Sequence, residues 1–548
     1  MNPRDITDVS QLQELVVMLL NRQEELLAEL AATRQELSEA LDEIKRLKGE
    51  KGAPKFKKRK KSNIFSPNRS QSPSRSSRNK SDASSHPPDV DRVEMVDSPP
   101  SDLPTDAQFK GWRSVYQKDI RLVREVIEYR IARWYSPSKR RHYESALPKT
   151  YRGQIGSMLQ SFIQILHHCG DMTHRKIKDL LEHLGIGSSS GGISNILTHS
   201  EWVCQEQAAL LQKSLTHSPY TQMDSTGSRQ EGKGMYTQII CGAHFSLFYT
   251  QQGRSRLDVY AALQGQNRDQ VRLAYTELAH DRMLAAKVSQ KHMSYIAQHF
   301  ALGQDFSMAQ LEEHFDSAPI FTRTNQSRRT AIASALAAGY YHQQDQVPVV
   351  EHLMTDDASE YKGVALKKHI HCWIHAIRHY RILNPKNQYL RDIHADFMDK
   401  LWALYNRLKA YQELPPEKQL MQKSEIALTF DQLFNSPTDY ERLNQQLAIT
   451  REKRAYLLAV LDHPNLPLHN NDAERAARRV VRKRDISLHT WSQRGTRIRD
   501  AFMSLHQTAK KLNMSFLDYL YDRNSGQYQL KSIAQQLQEA YEAKTATF

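Results

Sequence analysis

Two separated strand-like stretches in an otherwise helical chain most narrow what it can fold into. Between residues 216 and 262 the runs "PYTQMDSTG" and "MYTQIICGAHFSLFYTQ" are rich in Tyr, Thr, Ile and Phe, with a Gly-containing turn between them. A further candidate strand, "VPVVEHLMTDD" at 347–357, ends in two aspartates and precedes the helix-like "LKKHIHCWIHAIRHYRIL". From about 385 to 462 the chain returns to long helices, with "LWALYNRLKAY" and "LNQQLAITREKRAYLLAVL". These segments predict an α/β fold in which a small sheet is interrupted by helical inserts.

The N-terminal third reads differently. Positions Leu12, Val16, Leu19, Gln23, Leu26, Leu30, Thr33, Leu37, Ala40, Ile44 and Leu47 alternate steps of four and three, the seam of a coiled coil. Gln23 and Thr33 interrupt it with polar groups, which can set register and oligomer number. We expect residues 1–48 to associate a second copy of the chain; the competing reading is an amphipathic helix docked on its own protein. Residues 51–61, "KGAPKFKKRKK", carry seven basic residues and lead into Ser, Pro and Arg, too polar to offset chain entropy by burial. The expectation for 49–108 is a disordered basic linker, contacting phosphates or serving as a solubilising spacer.

Residues 109–215 are expected to be a helical DNA-binding region. In "MTHRKIKDLLEHLGIGSSSGGISNILTHS", residues 172–200, Ile177, Leu180, Leu181 and Leu184 form an apolar face and Gly185 stops the helix. A second helix follows with Ile193, Ile196 and Leu197 inward. A helix-turn-helix would put Ser194 and Asn195 in a DNA groove, and an ordinary αα-hairpin has the same pattern.

Seventy-six Lys and Arg against 61 Asp and Glu give a formal charge of +15, which favours an anionic partner. At 548 residues about three or four units are expected. The strongest short apolar run, "LVVMLL" at 15–20, is far below a membrane span, and "MNPRDITDVS" is no secretory signal. Cys169, Cys204, Cys241 and Cys372 form no CxxC pair, which fits a reducing interior. The expectation is a cytoplasmic, nucleoid-associated protein without a membrane partner.

Three acids stand out. Asp224 and Asp356 fall at expected C-terminal strand ends, where open α/β sheets build their sites, although a strand end also favours Asp as a turn residue. Glu474 opens the basic run "NNDAERAARRVVRKRD", and Asn471 with Glu474 would also make a capping-box variant. Arg478 lies one turn beyond Glu474, and Arg475, Arg479 and Arg482 extend the basic surface. Read together, two Asp and one Glu suit hard divalent cations in phosphodiester chemistry, with the basic helix on the DNA backbone.

The blocks "TDDASEY", "CWIHAIRHY", "HPNLPLHNNDAERAARRVVRKRD" and "FMSLHQTAKKLNMSFLDYLYDR" resemble, in this order, the catalytic half of bacterial insertion-sequence transposases of the IS sixty-six type. The resemblance covers roughly residues 130–525 and implies a DDE transposase. Its implied architecture is an RNase H-like mixed sheet core with large helical insertions, plus an N-terminal coiled coil and a helical helix-turn-helix region. The core would run over 216–384 and 464–525, with a helical insertion at 385–463 and a tail at 526–548. The family pattern maps onto Asp224 in "MDSTG", Asp356 in "TDDASEY" and Glu474 in "NNDAER" as catalytic, Mg²⁺- or Mn²⁺-binding acids; Asp357, beside Asp356, stays open. The separations are 132 residues (356−224) and 118 residues (474−356), and the second accommodates the family's insertion.

Cys372 and His375 match the family's CxxH; two ligands do not close a zinc site, so packing is expected of Cys372 and phosphate contact or positioning of His375. Arg378, Lys483 and Arg484 join Arg475, Arg478, Arg479 and Arg482 as expected DNA contacts. Residues 49–130 lack the cysteines that many members use for zinc, leaving end recognition to the helix-turn-helix. The implied partners are double-stranded DNA, at element ends and target, and a second copy of the chain; accessory transposition proteins are left open. The implied reaction is cleavage at the element end followed by strand transfer. The alternatives are a noncatalytic DNA-binding regulator or relic, and a nuclease on the same core.

Overall fold

The computed structural model describes residues 9–47, 90, 92–95, 107, 112–117, 123–148, 151, 153–486 and 488–545. The chain divides into two compact units, Met1–Leu26 with Glu128–Phe548, and Leu27–Ile127. The basic linker expected at 49–108 lies outside the described residues except for 90, 92–95 and 107, which form no helix or strand. In the second unit the described regular structure is the distal part of the N-terminal helix Val9–Leu47.

The long second segment of the large unit opens with a hairpin, β1 (Arg133–Ser136) and β2 (Arg141–Glu144), where a helical pattern was expected. Arg133, Trp134 and Tyr135 pair with Glu144, Tyr143 and His142 across a turn holding Arg140 at φ 47°. Aromatic cross-strand pairs favour this arrangement, and described helix resumes only at Ser157.

Its sheet is mixed. β3 (Thr221–Gln230), β4 (Lys233–Cys241) and β5 (Ser246–Gln251) form an antiparallel meander. The β3–β4 turn uses Glu231 and Gly232, both at positive φ, the two-residue geometry that matches strand twist. A short ribbon of β6 (Arg272–Ala274) and β7 (Asp305–Ser307) stands apart. β8 (His352–Thr355) then pairs parallel with β3, and β9 (Lys368–His371) parallel with β8, giving the order β5-β4-β3-β8-β9. Here "KHIH" is a strand rather than the start of a helix, which begins at Trp373.

Alternation along the strands sorts residues to two faces. Met223, Ile240, Leu247 and Tyr249 join the large core built with helices Trp202–His217, Arg256–Leu263 and Gln326–Gln343. On the other face Ile239, Cys241 and Phe248 pack against Ala473, Ala476, Ala477 and Val480 of helix Asn471–Asp485. Alanines at this spacing let the helix lie close to the sheet.

The β5 edge is closed by side chains. Backbone N–H groups of Ser246, Phe248 and Thr250 donate to Thr508 Oγ1, Ser504 Oγ and Asp500 Oδ2, at 3.1, 3.0 and 2.7 Å. Two residues of strand rise about 6.6 Å and one helical turn about 5.4 Å, so residues four apart on helix Gln493–Lys511 meet every second strand donor. An edge covered this way cannot pair with another chain.

Helices His174–His183 and Ser190–Thr198 pack around Ile163, Ile177, Leu181, Ile193 and Leu197. Gly185 (φ 69°) ends the first: Ile186 N donates to Leu181 O at 2.8 Å, a Schellman stop. Helices Gln388–Gln412, Pro416–Asn435 and Glu441–Glu452 build a separate core containing Leu390, Phe397, Phe430, Phe434 and Leu443. Trp373, whose Nε1 donates to Leu457 O at 2.8 Å, joins that core.

The N-terminal helix docks on this helical insertion. Glu24, 5% exposed, accepts from the backbone N–H groups of Lys386 and Asn387 at 2.5 and 2.7 Å, ahead of helix Gln388–Gln412. Asn21 donates to Asp439 O (2.7 Å) and accepts from Glu441 N (2.9 Å), the first residue of helix Glu441–Glu452. The bonds to Lys386, Asn387 and Glu441 satisfy backbone N–H groups at or just ahead of helix starts. Asn21 and Glu24 lie behind the heptad seam, whose Leu12, Val16, Leu19 and Leu26 remain exposed.

Candidate active site

Parallel pairing sets the two aspartates side by side. Gln222 of β3 is opposite Met354 of β8, so two residues further on Asp224 is level with Asp356, the residue after β8 ends. Asp224 therefore lies fourth in a ten-residue strand, not at the strand end expected from its sequence. β3 runs on because its other edge stays paired with β4 as far as Gln230.

Glu474 is brought to this edge by its helix. Ala473 N donates to Gln222 Oε1 (3.4 Å), and Asn470 Nδ2 donates to Met223 O (2.9 Å), tying the helix start to the two residues of β3 that precede Asp224. Asn470 N donates to Cys372 Sγ at 3.3 Å and Trp373 N to Leu468 O at 3.0 Å, so buried Cys372 serves packing. The capping-box reading of Glu474 does not hold. The N-cap is Asn470, which makes no side-chain cap, and Glu474 Oε1 is buried without a hydrogen bond.

The charges of Asp356 and Glu474 are both felt at Asp224. Burial, opposed by the Ser225 N–H bond (2.7 Å) and reinforced by the negative charges of Asp356 and Glu474, pushes the Asp224 carboxyl up to about 6. Two arginines and a histidine ring the acids: Arg254 Nη2 is 3.9 Å from Asp356 Oδ2, while His375 Nε2, an imidazole that burial pushes toward its neutral form, and Arg378 Nη2 are each 3.7 Å from Glu474 Oε1. Arg254 is also held by Glu360 at 2.6 Å. Asp357 points elsewhere, paired with Lys453, which separates it from Asp356. Fully buried Tyr361 closes the floor, its phenol raised by burial and by the Asp224 charge.

The chemistry of this donor set fits a hard divalent cation: three carboxylates, one with an unbonded buried oxygen and one already raised by its neighbours. The fit is one of charge and ligand type. Among the described residues, no three His, Cys, Asp or Glu side chains close around a single point.

The basic helix divides the expected DNA contacts in two. Arg475, Arg478 and Arg482 are exposed along one face. Arg479 and Lys483, also expected on DNA, turn inward instead, onto Asp171. Arg479 donates to both Asp171 oxygens (2.8 and 3.0 Å), and Lys483, 3% exposed, donates to Asp171 Oδ1 at 2.7 Å. Arg479 also bonds Cys169 O (2.7 Å) and Lys483 bonds His168 O (3.1 Å), which ties "HHCGD" to the helix as a structural corner. Arg484 donates to Gly227 O at 3.0 Å. In the helix pair Asn195 is exposed and Ser194 half-buried, both away from the acids in sequence and on a different core.

Sequence reasoning missed Arg254, Tyr361, Lys453 and Asp171. Each acts through a partner more than 90 residues away in the chain, except Tyr361 in "TDDASEY", whose single aromatic was the available signal. No helix among the described residues is long and apolar enough to cross a membrane.

Comparison with known proteins places this geometry in context. Residues 289–498 match the family described as "Transposase IS66 family", a span that includes Asp356 and Glu474 and begins after Asp224. The chain is 29% identical over 315 residues to "Uncharacterized protein y4jO" of Sinorhizobium fredii (strain NBRC 101917 / NGR234), covering 57% of this chain and 94% of that protein. No solved structure matches.

Proposed function

With an IS66-family transposase domain over residues 289–498 as the premise, we propose that the chain is a metal-dependent DNA transposase whose acidic set is Asp224, Asp356 and Glu474. The observation that carries this reading is the parallel register that levels Asp224 with Asp356 while helix Asn471–Asp485 presents Glu474 to them. The five-stranded mixed sheet, with an acid inside β3, another after β8 and a third on the covering helix, supports an RNase H-like core.

Mg²⁺ or Mn²⁺, when bound by the three carboxylates, would supply positive charge to the attacking and leaving oxygens of an in-line displacement. The chain's own residues do the rest. Arg254 and Glu360 hold the Asp356 side of the edge, and His375 with Arg378 hold Glu474, so the carboxylates are preoriented before DNA arrives. Arg378 is 53% exposed and can exchange Glu474 for a phosphate. Arg475, Arg478 and Arg482 track the DNA backbone from the acid edge outward. Ser194 and Asn195 contact the element ends. The exposed seam at Leu12, Val16, Leu19 and Leu26 takes a second copy, pairing two ends.

The test is cleavage and joining of labelled DNA from the gene's own flanks with Mg²⁺ or Mn²⁺, comparing wild type with Asp224→Asn and Glu474→Gln. Specific cuts and joined products that vanish in both variants support the proposal. Retarded DNA without cuts, unchanged by either substitution, would instead favour the noncatalytic DNA-binding reading.

A further inference from the structure

At the far end of the basic helix stands a tryptophan that the reaction described above does not use. Trp491 is 73% exposed. It precedes Ser492, the N-cap of helix Gln493–Lys511, where an apolar residue commonly packs on the fourth helical position. That position is Thr496, which is buried and occupied: its Oγ1 bonds Gln230 Oε1 at 2.8 Å and Thr490 Oγ1 at 2.5 Å. The indole is thus left facing water, and its ring contact among the described residues is His489, 4.9 Å away and tilted by 54°.

The exposure is built in. Glu231 N donates to Thr490 O at 2.8 Å, Thr490 bridges to Gln230 at the end of β3, and Leu488 N donates to Lys483 O at 2.8 Å. The segment carrying His489 and Trp491 is pinned to the sheet on one side and to the basic helix on the other. An exposed indole on a fixed backbone offers a flat apolar face at little further entropic cost.

Its surroundings select the occupant. Arg475, Arg478 and Arg482 form an exposed stripe from Glu474 toward this corner, and Arg484 fastens the helix end to Gly227 of β3. Gln230 is six residues beyond Asp224 on β3 (230−224), about 20 Å at the rise of a strand. That length is about six nucleotides of one DNA strand. A cationic track ending in an exposed aromatic is the combination that binds unpaired nucleic acid, with phosphates on the arginines and a base on the ring.

We propose that Trp491, flanked by His489, is a stacking platform for an unpaired DNA base about six nucleotides from the phosphodiester at the three acids. The inference deepens the transposase reading and rests on it. It gives the protein a site for single-stranded or distorted DNA at the junction, separate from its hold on duplex.

The test uses the full chain, wild type, Trp491→Ala and Trp491→Phe, with a fully paired oligonucleotide and the same duplex carrying an unpaired stretch. Affinity is read by anisotropy and stacking by quenching of intrinsic fluorescence. Loss of a base–aromatic stack should weaken Trp491→Ala on the unpaired substrate by roughly 5- to 100-fold. The paired duplex should change less than about twofold, Trp491→Phe should retain most of the affinity, and quenching should disappear in Trp491→Ala. Equal affinity of wild type and Trp491→Ala for the unpaired substrate, or equal losses on both substrates, would overturn the platform while leaving the transposase reading intact. Failure of wild type to bind either DNA would remove both.

Discussion

Arg479 and Arg482 lie one turn apart on the same basic helix, and alanine at each should have opposite consequences. Arg479 is 14% exposed and donates to Asp171 Oδ2 (2.8 Å), Asp171 Oδ1 (3.0 Å), His168 O (3.2 Å) and Cys169 O (2.7 Å). Removing it strips a half-buried carboxylate of one of its two cations and takes the side-chain donor from Cys169 O, while His168 O keeps Lys483. Breaking a buried pair of this kind costs about 3–5 kcal/mol. Lys483 stays on Asp171 at 2.7 Å, which puts the expected loss near the lower limit, about 3 kcal/mol. Arg482 is exposed and makes no ion pair among the described residues, so its truncation should cost less than about 0.5 kcal/mol. DNA affinity should respond the other way: Arg482→Ala loses one phosphate contact and lowers the slope of log K against log salt by about 0.9. Urea unfolding followed by circular dichroism, and anisotropy on labelled duplex at several salt concentrations, read the two effects. A stable Arg479→Ala with a reduced salt slope, beside an unfolding-prone Arg482→Ala, would refute the division of the helix.

Asn470→Ala removes the bond to Met223 O and should cost about 1–2 kcal/mol, and because that bond seats Glu474 against β3, strand-cleavage rate should fall more than DNA affinity; equal falls would contradict a positioning role. Burial pushes His167 from 6.5 down to about 4, so below the unfolded value the unfolded chain takes the proton first and stability is lost as pH falls from 6.5 toward 4. The loss is at most about 3 kcal/mol, and urea midpoints between pH 7.5 and 4.5 should slope less in His167→Gln than in wild type, despite His168, His174, Asp171 and Lys483 nearby. Leu19 and Leu26 are 57% and 49% exposed, so Leu19→Glu with Leu26→Glu should leave the fold intact yet shift light-scattering mass to the monomer; an unchanged mass would show that the seam does not pair.

The strands and helices that were legible in sequence are those whose pattern is local. The runs around Asp224 and Ile239 carry strand composition, and Gly185 marks a helix stop that the Ile186–Leu181 bond realises. β9 was hidden because three of the four residues of "KHIH" are Lys or His, with His371 buried, and the segment runs straight into a helix. The β1–β2 hairpin was hidden in a charged stretch with no apolar alternation. At the site, residue types pointed to three acids, but what places Asp224 level with Asp356 is a parallel register formed across 132 residues (356−224). The inward turn of Arg479 and Lys483 follows from the Ala473, Ala476, Ala477 and Val480 stripe, visible in the sequence, together with Asp171, which is not. The N-terminal helix is the plainest case: its heptads describe the exposed seam, while Asn21 and Glu24 on the opposite face make the contacts that dock it.

In the reading proposed above, Asp224, Asp356 and Glu474 share one divalent cation site. Its most direct measurement is Fe²⁺ substituted for Mg²⁺ in the full chain with peroxide and ascorbate, so that radicals formed at the bound ion cut the nearby polypeptide. Three clusters of cuts are expected, around residues 224, 356 and 474, each suppressed by excess Mg²⁺ and by Asp224→Asn. Cuts at one of these segments alone, or cuts elsewhere that Mg²⁺ does not suppress, would contradict it.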